Sequence, residues 1–181
     1  MSKTQKGNVL MNIFSKDILF IIKRILICLL VLVVQYVLSD KLRIFGVAPN
    51  IVFAFVIAIA FINDISFNMY AAILLGFALD GLSGRIFGIY MLTFVVLNFL
   101  VSEFYHSAFS ENFLIETLYG LIAMTVYSFL FAFFTSIFNG GLINILTRIA
   151  IVECFYNFAI FETFLIIQKR FRKKKKSIFL N

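Results

Sequence analysis

The chain reads as an all-α polytopic membrane protein with six transmembrane helices, and three observations lead there. Its 181 residues are 62% hydrophobic and only 14% charged, against roughly 45–50% and ~25% in a soluble globular domain. Uncharged runs cover residues 25–39, 44–63, 65–79, 86–102 and 117–147, and a further apolar stretch begins at Ile149. Twelve of the 16 basic residues lie between the N-terminus and Arg24 or after the last span, which by the positive-inside rule puts both termini in the cytoplasm and calls for an even number of spans. A β-barrel is disfavoured, because the runs lack the alternating polar face that barrel strands need.

Each element follows from where its run begins and ends. Helix 1 is expected near 18–38, with Lys16, Lys23 and Arg24 leading into it as an uncleaved anchor rather than a signal peptide. Helices 2, 3 and 4 are expected near 47–62, 67–82 and 86–101. At 1.5 Å per residue such spans reach only about 24 Å, so they stand near the bilayer normal or thin it locally. The run 117–147 is too long for one helix and carries a turn signal at Asn139-Gly140-Gly141, which divides it into helix 5 near 113–138 and helix 6 near 142–168. Residues 1–17 then form a cytoplasmic or interfacial segment, 18–168 the transmembrane domain and 169–181 a basic cytoplasmic tail. The cations of 169–176 lie against anionic headgroups at about 1 kcal/mol each. The net charge of +7 is accounted for in this way and does not call for nucleic acid.

Few residues are available for chemistry. His106 is the lone histidine and reads as a solvated loop residue, with no second His or Cys nearby to complete a metal site. Cys28 and Cys154 fall in apolar stretches and read as small core residues. No Ser or Thr sits in a nucleophile turn and no phosphate loop occurs, so no enzyme, metal or cofactor is expected.

Ionisable groups inside spans are costly and stand out as functional candidates. Glu153 lies about 16 Å along helix 6 with Asn157 one turn further on the same face, and it reads as interhelical glue or a partner contact. Glu162 falls on the opposite side of that helix and is expected to reach toward the interface. Ala72, Gly76 and Asp80 are spaced i, i+4, i+8, a stripe along which another helix approaches closely. An anion at a helix C-terminus opposes the macrodipole, so Asp80 needs compensation from Arg85 or from the free N–H groups that open helix 4. Ala54 and Ala58 are a second small-residue surface for a partner helix.

Pro49-Asn50 opening helix 2, Gly76 four residues before Asp80 and Gly88-Ile89-Tyr90 beginning eight after it form a pattern that resembles the rod shape-determining protein MreD family. The resemblance covers essentially the whole chain, although members usually carry Pro-Asp where this chain has Pro49-Asn50. It implies a component of the bacterial inner-membrane elongation machinery that pairs with the single-span protein MreC. It also implies indirect links to the glycan polymerase RodA, a class B penicillin-binding protein and MreB, and a fold similar to the S components of energy-coupling-factor vitamin transporters. Two functions therefore compete: a non-catalytic scaffold, and an S component-like substrate-binding subunit. S components resemble one another in an Ala repeat on helix 1, and residues 25–38 here contain no Ala. The outward loops also offer few polar anchors for a ligand, which favours the scaffold.

Overall fold

A computed structural model of the chain describes residues 3–43, 46–62, 65–83, 87–107, 112–139 and 144–178, with the side chains of 18–19, 21–43, 46–62, 65–83, 87–105, 112–134 and 150–170. Six helices follow in order: α1 (Lys3–Leu38), α2 (Ile51–Ala60), α3 (Ile65–Ser83), α4 (Ile89–Ser107), α5 (Phe113–Asn139) and α6 (Asn144–Ile178). The described residues contain no strand, so the expected fold class holds. Among the described residues, four stretches are long and apolar enough to cross a bilayer, namely Ile21–Leu38, Ile65–Ser83, Phe113–Phe134 and Ala150–Arg170.

Helix 2 departs most from its expected extent. It has ten residues rather than the span 47–62, about 15 Å at 1.5 Å per residue. Two local effects delay its start. Gly46 has φ +84°, and a residue before proline, here Ala48, is pushed out of the helical region. Every residue of α2 is apolar and buried. It touches α1, α3, α4, α5 and α6 and forms the axis of the bundle. Around it, contacts run from α1 to α3, α3 to α4, α4 to α5 and α5 to α6, with no contact between α1 and α6 among the described residues.

Small residues set the two hairpins. A Cβ on Gly76 would lie 2.5 Å from the Met91 Cα, so α3 and α4 approach to backbone contact there. A Cβ on Gly120 would strike the Phe161 ring, which seats α5 against α6. Between the hairpins, Phe53 of α2 stacks on Tyr127 with centroids 4.0 Å apart, and Phe94, Tyr90 and Phe131 extend the cluster. Phe61, at the other end of α2, meets Tyr105 edge-on.

The terminal helices run through the expected segment boundaries. Helix α1 is continuous for 36 residues from Lys3, and α6 for 35 residues through the basic cluster to Ile178. The turn expected at Asn139-Gly140-Gly141, the His106 side chain and the corner containing Arg85 lie outside the described residues or side chains.

Candidate functional site

The first polar centre is the N-terminus of α2. A helix start leaves N–H groups without intrahelical partners, and inside a bilayer no water is available to satisfy them. Here Gln35 Oε1 accepts from the N–H groups of Ile51 (2.7 Å) and Val52 (3.3 Å), and the Asn50 side chain accepts from that of Phe53 (2.9 Å). Gln35 Nε2 donates to the Pro49 carbonyl at 3.0 Å, which ties α1 to the entry of α2. The Asn50 N–H donates to Asn157 Oδ1 at 2.7 Å, and Asn50 Nδ2 donates to the Tyr127 hydroxyl at 2.6 Å. Pro49, Asn50 and Asn157 thus come together, joined by Gln35 and Tyr127.

The second centre is the α3–α4 corner. Asp80 is buried, and its two carboxylate oxygens accept from the N–H groups of Tyr90 (2.9 Å) and Met91 (3.0 Å). Gly88 precedes α4 with φ +97°, a conformation suited to glycine, and therefore supplies no capping side chain of its own. Asp80, reaching across from α3, caps α4 in its place. Of the two compensations expected for this anion, the helix 4 N–H groups provide it. Arg85 lies outside the described residues.

The third centre sits at the opposite end of the bundle. Glu116, in the first turn of α5, is fully buried, accepts from the Tyr105 hydroxyl at 2.7 Å and pairs with Lys169 Nζ at 2.6 Å. The Lys169 ammonium also lies 4.8 Å from the Phe113 ring centroid. An acidic group in a first turn is favoured by the helix dipole.

These positions correct several expectations. Ala54 and Ala58 are enclosed in the core, because lipid and protein interior are equally apolar and α2 occupies the interior; they hold α2 among its neighbours and present no outer surface. Ala72 and Gly76 are buried too, and α4 of the same hairpin takes the close approach expected of a partner. Glu162 is half-buried, with its Oε1 enclosed. Glu153 is buried.

Sequence reasoning missed Gln35, Tyr127, Glu116 and Asn98, whose Nδ2 donates to the Val56 carbonyl at 2.7 Å, and it assigned Lys169 to the headgroups, whereas its ammonium turns inward to the buried Glu116. Gln35 did leave a signal, as a lone amide in the run 25–39. A cavity of about 570 Å³ also went unforeseen, because its lining comes from the ends of α1, α3 and α4, the loop before α2, and the bodies of α5 and α6. Among the described residues no group of three or more His, Cys, Asp or Glu comes together.

The family profile described as rod shape-determining protein MreD matches residues 15–174. The chain belongs to the MreD family. It is accordingly a multi-pass membrane protein with a role in rod shape determination, a member of a family that forms part of the rod-shape complex. No curated protein and no solved structure matches it, so the expected likeness to energy-coupling-factor S components gains no support from them. In this MreD protein the buried polar residues Asn50, Asp80, Asn98, Glu116 and Asn157 each join one helix to another.

Proposed function

We propose that this MreD protein is a non-catalytic scaffold of the elongation complex in the bacterial inner membrane. It pairs directly with the transmembrane helix of MreC and acts through MreC on RodA, a class B penicillin-binding protein and MreB. The observation that carries this reading is the use of the interior: the Gln35–Asn50–Asn157–Tyr127 cluster, the Asp80 cap and the Glu116–Lys169 pair each join two or more helices. The outer surface is rich in large apolar side chains, among them Leu26, Leu29, Leu30 and Val33 of α1 and Leu118, Ile122, Phe129 and Phe133 of α5. Helix pairing in lipid runs on shape and close packing, and with Ala54, Ala58, Ala72 and Gly76 enclosed, MreC is met on that outer face.

Both termini lie in the cytoplasm, where the cations that follow Lys169 meet anionic headgroups. The test is copurification of the full chain from its own membranes in a mild detergent, followed by mass spectrometry. Retained MreC supports the scaffold, whereas a retained ATPase module with no MreC contradicts it.

A further inference from the structure

Against an outer surface of large apolar side chains, one face of α6 differs in two ways. The first is a carboxyl group. Glu162 lies two residues past the middle of the 21-residue span Ala150–Arg170, about 3 Å along the axis from its centre. It is half-buried, its Oε1 is enclosed without a hydrogen-bond partner, and no ion pair reaches it among the described residues. The buried carboxyl groups are engaged: Asp80 by the N–H groups of α4, Glu116 by Lys169 and Tyr105, and Glu153 by a contact of its own. An ionisable group this deep in a span calls for a partner.

The second difference is size. Ala159 and Thr163, one turn apart, are exposed in the middle of the span, and the Thr163 hydroxyl donates back to the Ala159 carbonyl at 3.0 Å. Among the described side chains, the exposed residues of α1 from Ile21 to Leu38, of α4 and of α5 include no Gly, Ala, Ser or Thr; on α3, Ser66 and Gly81 are exposed near its two ends. Ala159 and Ile166 stand three and four residues from Glu162, so they flank it on the helix surface. Small residues beside a polar group give a second helix both a close approach and a hydrogen bond in lipid.

The depth of Glu162 narrows the occupant. Water and headgroups stay at the bilayer surface, and acyl chains carry no donor. A second copy, related by a two-fold axis along the bilayer normal, sets Glu162 against Glu162, like against like. We propose that the α6 face around Ala159, Glu162 and Thr163 receives the transmembrane helix of a different protein, which places a side-chain N–H or O–H donor opposite Glu162 near mid-depth. Given the pairing with MreC proposed above, on which this assignment rests, that helix is the membrane span of MreC.

The full chain in mild-detergent micelles is titrated with purified full-length MreC, and thermal unfolding is measured alongside. Glu162→Leu is expected to keep or raise the unfolding temperature yet weaken MreC binding about three- to twentyfold, the range of interhelical hydrogen bonds. Glu162→Gln, which keeps an acceptor oxygen, is expected to lose less. Ala159→Phe, a change at an exposed position, is expected to weaken binding about tenfold by steric conflict and decides the matter if Glu162→Leu does not fold. Undiminished MreC binding by either variant in folded form overturns the docking face and leaves the pairing standing. No binding of MreC to the unaltered chain overturns the pairing and this face with it.

Discussion

Asp80 shows how a buried carboxyl group is held by the backbone of a neighbouring helix. Its carboxylate accepts two backbone N–H groups of α4 at 2.9 and 3.0 Å, and hydrogen bonds to charged groups contribute about 1.5–3 kcal/mol each. Asp80→Ala is therefore expected to cost about 2–4 kcal/mol, read as a lower unfolding temperature in detergent, while Asp80→Asn, which keeps one acceptor oxygen, costs less. Equal stability of the three proteins would remove the cap from the interpretation. Glu116 follows a different rule, because its partner Lys169 is a charge on another helix. Removing one member of a buried pair strands the other, at about 3–5 kcal/mol for full burial; with Lys169 one-quarter exposed, the lower end applies. Lys169→Met alone should destabilise more than the double change Glu116→Gln with Lys169→Met, and a double-mutant cycle of unfolding temperatures checks it.

At the scale of elements, the α3–α4 hairpin was the most legible part of the sequence. The i, i+4, i+8 spacing of Ala72, Gly76 and Asp80 put two small residues and a carboxylate on one stripe, and the structure lays that stripe against α4. Gly76→Ala is expected to force the helices apart at Met91 and cost about 1–3 kcal/mol, seen in detergent unfolding and as faster amide exchange in the first turn of α4; unaltered exchange would argue against backbone contact. Helix α2 was the least legible. Hydropathy registers an apolar run, but lipid and protein interior are equally apolar, so the run 44–63 gave no sign that its helix is the axis of the bundle. The capping groups of α2 were hidden for another reason: Asn50 and Asn157 are 107 residues apart, and no local pattern links an asparagine on α6 to a backbone N–H before α2.

For the whole molecule, the same residues that looked like docking surfaces in the sequence turn out to be internal joints. Burying Ala54, Ala58, Ala72 and Gly76 leaves an outside made of large apolar side chains, including Leu29 at 57% and Leu118 at 55% exposure. Such a surface has no cost in lipid and recognises a neighbour by shape. Fold class and helix count were readable from uncharged runs and cation placement, since the bilayer imposes both on any chain that crosses it. The binding face was not readable, because one apolar row resembles another. The most direct measurement is therefore a photocrosslinking scan in living cells, with a benzophenone side chain placed in turn at lipid-facing positions of α1, α3, α5 and α6. Adducts to MreC from a contiguous set of outward positions on one or two adjacent helices are the expected result. A complete scan without any MreC adduct, in cells where the two proteins copurify, would contradict it.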